Sequence, residues 1–258
     1  MKSLSIQDLT NAGLKATAFT GGYVNKARTK SPTGIVFHTP GSTWAKGVWD
    51  KLPNKTPEQY DLAAGQAFDA RNYQPNYLIG VTGLVMQLAT DDLRTQHAGK
   101  LGADSPAGDV YATDAWASWA SPSSGGGWRQ HGRDPKAVYD WWFAAFPGHK
   151  SPVTVFPWKN MPNDALGIDL LPVVDGSGGP QQTQAQFDAA VKLVSMLAKL
   201  HGFPCNKITV TTHSMCSPVE RGTVVSNGKI IGTPWDVSPK QWRHDEMVAQ
   251  AAARLANA

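Results

Sequence analysis

Two cysteines in 258 residues are too few to staple a fold. Cys205 and Cys216 bracket Ile208–Thr212, a run that reads as a strand, and an extended chain at ~3.3 Å per residue holds them well beyond the ~7 Å Cα separation a disulfide tolerates. Two free thiols are expected, and with them synthesis in a reducing cytoplasm. No stretch approaches the ~20 apolar residues of a membrane span. The start, Met1-Lys-Ser-Leu-Ser-Ile-Gln-Asp-Leu-Thr, lacks an apolar core of secretory length, so neither export by its own signal nor membrane insertion is expected. Charge of one sign is also missing as a block: 24 Lys+Arg face 20 Asp+Glu, and the net +4 is scattered along the chain. That leaves a mild bias toward anionic surfaces and excludes the basic stripe of a nucleic-acid binder.

What is present is a folded protein, because 41% apolar residues fill a core of real size at this length. One domain over residues 1–258 is expected, with 1–32 as an N-terminal extension. Three helices are marked by their caps. Thr56-Pro57-Glu58-Gln59 puts a capping hydroxyl, a first-turn proline and a third-position glutamine ahead of Tyr60–Phe68. Thr183 and Gln186 repeat the device before Phe187, Ala190, Val191, Val194 and Leu197 at helical spacing, closed by Gly202 and Pro204. Ser238-Pro239-Lys240-Gln241 opens the third, running through Val248 and Leu255.

Strands are expected at Gly34–His38, Tyr77–Val81, Leu84–Ala89, Gly167–Pro172 and Ile208–Thr212, the second and third joined as a hairpin around Thr82-Gly83. Strands interleaved with helices imply an α/β fold, a central mixed sheet flanked by helices. Between about residues 100 and 162 the texture changes. Ser121-Pro-Ser-Ser-Gly-Gly-Gly127 is a flexible centre, surrounded by Trp116, Trp119, Trp128, Trp141, Trp142 and Trp158, and Lys136–Phe146 reads as a short helix. This Trp-rich stretch is an insertion within the domain. Its tryptophans build either a satellite core or a platform for stacking sugar rings.

Two histidines carry the chemistry. His38 ends Gly34-Ile-Val-Phe-His, and His213 ends Ile208-Thr-Val-Thr-Thr-His. Two buried strands would thus deliver two imidazoles to one sheet edge, as a metal site requires. Catalytic zinc takes three protein ligands and keeps a fourth position for water, whose pKa it lowers to about 7. Downstream of His213 the third ligand is either Cys216 or Asp236, the latter 236 − 213 = 23 residues on.

Val-Phe-His38-Thr-Pro-Gly, Tyr77 before a turn glycine, His97-Ala-Gly, Gly167-Ile-Asp-Leu, Thr212-His213-Ser and Trp235-Asp236, in that order, resemble the type 2 N-acetylmuramoyl-L-alanine amidases, a family that includes phage lysins and is related to the peptidoglycan recognition proteins. The likeness spans about residues 33 to 245 apart from the insertion. It implies that His38, His213 and Asp236 hold Zn2+, with Cys216 as the alternative third ligand. It also implies that Tyr77 and Asp169 act in catalysis, the phenol on the oxyanion and the carboxylate on the water. His97 and Trp44 are expected on the substrate side. A lysine the family often carries two residues before its last ligand is Pro234 here, and Lys229, on an expected hairpin Thr223–Ile231, is the candidate in its place.

The activity so implied is hydrolysis of the amide between N-acetylmuramic acid and L-alanine. The partner is bacterial peptidoglycan, glycan strand and stem peptide together, and the chain is taken as a monomer. The role is that of an endolysin made in the host cytoplasm and acting on the cell wall after release, or carried in a virion. Two other roles stay open: an inactive peptidoglycan-binding module and a cytoplasmic amidase that recycles muropeptides. Taken singly, His38 would be an ordinary strand-end histidine, Tyr77 a core tyrosine and Asp169 a structural carboxylate. His131, His149, His201 and His244 are expected to have neither partners nor roles.

Overall fold

The computed structural model describes residues 1–19, 26–40, 42–70, 74–95, 143–149, 155–156, 158, 164–174, 182–216, 224–226, 229–231 and 242–257, with the backbone alone at 42–43, 224–226 and 229–231. The described residues form a six-stranded sheet in the order β1-β5-β4-β7-β3-β8, from β1 (Ala16–Ala18), β3 (Ile35–His38), β4 (Tyr77–Ile79), β5 (Val85–Gln87), β7 (Leu166–Leu170) and β8 (Val210–Thr212). Only β4 and β5 run antiparallel. All other neighbours are parallel, so the expected mixed sheet is present. Two small ribbons accompany it, β2 (Lys26–Ala27) with β6 (Leu93–Arg94), and β9 (Val224–Ser226) with β10 (Lys229–Ile231).

The antiparallel pair exists because its turn can close tightly. Gly83 sits at φ +80°, where an L side chain would be strained, and its amide donates to Gly80 O at 2.9 Å. Asp61 holds the same turn from α3 (Pro57–Asp69), accepting from Val81 N at 2.7 Å and from Thr82 N at 3.0 Å. Burial pushes this carboxyl above its usual range even though the Thr82 and Val81 donors pull the other way.

Two of the helices begin as their caps demand. The Thr56 hydroxyl accepts from Gln59 N at 3.3 Å ahead of α3. In α4 (Gln184–His201) the capping box is reciprocal, with Gln186 N donating to the Thr183 hydroxyl at 3.0 Å and Thr183 N to Gln186 Oε1 at 3.1 Å, while Gly202 closes it in the left-handed region. The third helix differs from the expectation. Residues 238–241 lie outside the described residues, and α6 (His244–Ala256) starts only after Arg243, itself left-handed at φ 47°. Trp242 precedes it in a turn, fully buried with its ring centroid 4.0 Å from that of Phe37.

The segment read as an extension is part of the fold. Ser5 caps α1 (Ile6–Asn11), and β1 then adds to the edge of the sheet beside β5. A further helix, α2 (Ser42–Trp49), follows β3 and packs on α3. In the insertion, residues 143–145 are helical at the end of the expected Lys136–Phe146 helix, and Trp158 is buried, stacked on Phe156 with centroids 5.6 Å apart. Trp158 therefore belongs to a small core; Trp116, Trp119, Trp128, Trp141 and Trp142 lie outside the described residues.

Each face of the sheet has its own cover, because side chains alternate along a strand. Ile35, Phe37, Tyr77, Ile79, Leu166, Ile168, Leu170 and Val210 face the helices α4 and α6 through Phe187, Leu193, Met247 and Val248. Fully burying side chains of this kind contributes about 1.5–3 kcal/mol each. On the other face Leu78 and Met86 meet Ala45, Tyr60, Ala64 and Phe68 of α2 and α3. Among the described residues, no helix is long and apolar enough to cross a membrane.

Candidate metal centre

The second face continues across β7, β3 and β8, where the sheet carries polar residues. Phe37 pairs with Thr212 across β3 and β8, and the next residues along are His38 and His213. Their ring centroids lie 4.7 Å apart with the planes inclined at 67°. Both are buried, at 5% and 1% exposure. The strand does not run on past His213. It turns at once into α5 (His213–Cys216), fixed by the hydroxyl pair Thr212–Ser214 at 2.9 Å and by Thr211, whose hydroxyl reaches Met215 Sδ at 3.2 Å.

Asp169 stands beside the pair. It is in register with His38 across the parallel β3–β7 ladder, so their side chains leave the same face, and it is buried as well. Sequence and fold together thus gather two imidazoles and a carboxylate at the ends of three adjacent parallel strands.

The spacing of the imidazole pair can be compared with that of two rings on one zinc ion. With Zn–N near 2.1 Å each ring centroid would sit about 3.2 Å from the ion, and tetrahedral angles would then separate two centroids by about 5.2 Å. The observed 4.7 Å is close to that. Among the described residues, however, no group of three or more His, Cys, Asp or Glu side chains is close enough to hold a metal ion. Neither Cys216, in the helical turn with His213, nor Asp169 therefore completes the set. Asp236 lies outside the described residues, as does His97, and of Lys229 only the backbone is described, in the β9–β10 hairpin.

Tyr77 is not where the resemblance implies. It registers with Ile168, not Asp169, and so points to the opposite face from His38. There its hydroxyl donates to Asp91 Oδ1 at 2.5 Å and accepts from Gln87 Nε2 at 3.2 Å. Burial, reinforced by the Asp91 charge, pushes the phenol well above its usual range, so it stays a donor. Trp44 is half-buried on α2, edge-on to Phe68 with centroids 4.8 Å apart.

The same carboxylate corrects the reading of His201. Asp91 Oδ2 lies 3.0 Å from His201 Nε2 and also accepts from Leu4 N at 3.2 Å, so one buried side chain ties β4, the end of α4 and the N-terminal segment together. His244 has a neighbour too, with Nδ1 3.4 Å from Asp245 Oδ1. Arg28 lies nearby, donating Nε to Asp91 O at 2.9 Å and Nη2 to Asn76 Oδ1 at 3.1 Å. Its burial lowers the guanidinium to about 10, against the pull of Asp91 and Asp164, which leaves it charged at neutral pH.

No protein-family model matches the chain, nor does any curated protein. Solved structures do. The chain is similar to the N-acetylmuramoyl-L-alanine amidase LysC from Clostridium intestinale URNW at 12% identity, over 92% of this chain and 96% of that one, with a TM-score of 0.41. It is similar to a selenomethionine derivative of AmpD at 16% identity, over 86% and 92% of the two chains, with a TM-score of 0.38. The Ph2119 endolysin, from a Thermus scotoductus MAT2119 bacteriophage, matches at 15% identity over 88% and 89%, with a TM-score of 0.35.

Proposed function

We propose that this chain is a zinc-dependent N-acetylmuramoyl-L-alanine amidase acting on peptidoglycan in a lytic role. The observation that carries the reading is the pair His38–His213, two buried imidazoles 4.7 Å apart at the ends of neighbouring strands, with Asp169 in register beside them. His38 and His213 would hold the ion, with Asp236 as third ligand. When bound, zinc supplies Lewis-acid polarisation of the scissile carbonyl and brings a water to a pKa of about 7. Asp169 takes the proton from the attacking water on a carboxylate oxygen. As the C–N bond of the tetrahedral intermediate breaks, the same oxygen returns that proton to the departing L-alanine amine, so no nucleophilic serine or cysteine is used. Lys229 is the candidate cation for the oxyanion, and His97 a candidate for substrate contact. Tyr77 has no part in this chemistry, because it serves the core on the far face.

The test is digestion of purified sacculi, and of soluble muropeptides in parallel, by zinc-loaded and chelated protein. New L-alanine amino termini released only by the loaded protein are expected. Reducing sugar ends would replace the amidase with a glycosidase, binding without release would leave a recognition module, and cleavage of muropeptides alone would favour recycling. His213→Ala and Asp236→Ala should each abolish zinc retention and hydrolysis, whereas Cys216→Ala should spare both; the reverse pattern for the last two exchanges the third ligand.

A further inference from the structure

We propose that Thr39 is a positioning residue of the metal centre, its hydroxyl replacing a backbone donor that proline removes just past His38; this rests on the zinc reading above. The β3–β7 ladder runs in a fixed phase. Leu166 N donates to Gly34 O at 2.9 Å, and the register holds from Ile35 with Leu166 to His38 with Asp169. Stepping two residues at a time along such a parallel ladder brings Leu170 O opposite the amide of residue 40. That residue is Pro40, which has no N–H to give. The odd-numbered residues of β7 turn to the other neighbour, with Asn76 N donating to Gly167 O at 2.9 Å and Leu171 N to Ile79 O at 3.0 Å, so β4 offers Leu170 O no substitute.

Thr39 supplies it. Its hydroxyl donates to Leu170 O at 3.0 Å, with a longer approach to Pro40 O at 3.3 Å, and both Thr39 and Leu170 are buried. A buried carbonyl without a donor is costly, so the two strand ends are drawn together at this point. The clasp closes one residue beyond the His38–Asp169 pair. It therefore fixes how the imidazole stands against the carboxylate, as outer-shell bonds do for metal ligands. At the far end of the same two strands Thr33 makes a comparable bond, its hydroxyl donating to Asp164 O at 3.2 Å, remote from the site.

The experiment compares Thr39→Val, Thr39→Ser and Thr33→Val in the full chain. The readouts are zinc affinity by chelator competition, the visible spectrum of the cobalt-substituted protein, melting temperature, and kcat and KM on sacculi. Thr39→Val should weaken zinc 10–100-fold and lower kcat with little change in KM, the range typical of lost outer-shell bonds, while Thr39→Ser should return to within about threefold of the wild type. Thr33→Val should lower the melting temperature without moving zinc affinity or the cobalt spectrum. Wild-type affinity and spectrum in Thr39→Val overturn the inference, as does an equal loss in Thr33→Val. Should Thr39→Val fail to fold, Thr39→Ala against Thr39→Ser decides, and equal zinc affinity in those two also overturns it. If the wild type itself retains no zinc, the amidase reading falls and the clasp with it; zinc-binding wild type with an unaffected Thr39→Val sinks the clasp alone.

Discussion

Tyr77→Phe deletes one oxygen and leaves the ring in its place. The lost bond runs to a buried carboxylate at 2.5 Å, and bonds to charged partners contribute about 1.5–3 kcal/mol. Gln87 keeps its other acceptor, Leu4 O at 2.9 Å, and Asp91 keeps His201 and Leu4 N on Oδ2, while its buried Oδ1 gives up the phenol. The cost is then about 2 kcal/mol, and in a protein of this size each kcal/mol lowers the melting temperature by about 2–4 °C, giving a fall of about 4–8 °C. Amidase activity at 25 °C should stay within about twofold of the wild type, because the phenol lies across the sheet from His38, whereas removing a group that moves a proton in catalysis costs about 10²–10⁴-fold. Thermal unfolding by circular dichroism and kcat/KM on sacculi separate the two. A loss of more than about a hundredfold in kcat/KM with an unchanged melting temperature would refute the geometric argument and return the tyrosine to the active site.

Two further outcomes follow from packing and from burial. Gly80→Ala places a Cβ 2.2 Å from Asp61 Cγ, so the clamp on the β4–β5 turn must shift; a loss of about 1–3 kcal/mol in a denaturant titration is expected, and an unchanged midpoint would contradict it. Burial pushes the Cys205 thiol up to about 11 from an ordinary value of 9.0. Its thiolate is accordingly about a hundredfold scarcer at pH 8 than that of an ordinary thiol, and alkylation should be slow there and climb about tenfold per pH unit toward pH 11. Because the folded-state value lies above the unfolded one, the linked stability is intact below pH 9 and is lost as pH rises toward about 11. Rapid labelling at pH 8 would count against this environment for the thiol.

The residues that announced themselves did so through local chemistry. Thr56 with Pro57, and Thr183 with Gln186, cap their helices because a hydroxyl and a third-position side chain satisfy the first amides wherever such a pattern occurs. His38 and His213 were legible for a similar reason, each closing a β-branched run with one polar residue. Tyr77 was not, since Tyr77, Leu78 and Ile79 are all buried and no polar alternation marks which residue faces which side. One residue of register reverses the face, and only pairing with Ile168 settles it. The Asp91 hub was equally hidden. Its partners Leu4, Tyr77 and His201 are spread along the chain, and a contact between distant segments leaves no spacing to read. Strand β1 escaped notice because Ala16-Thr-Ala18 is short and only half-buried at a sheet edge.

The strand order has a consequence for how the molecule comes into being. β3 is made before either of its neighbours, since Ile35 must pair with Leu166 on one side and Val210 on the other. Until residue 166 has been made this interior strand has neither neighbour, and Phe37 lacks the indole of Trp242 that covers it. Loops of that span close slowly, and an unpaired apolar strand invites association with other nascent chains. The two imidazoles accordingly meet only after residue 213 has been added, and a shorter nascent chain cannot bring them together.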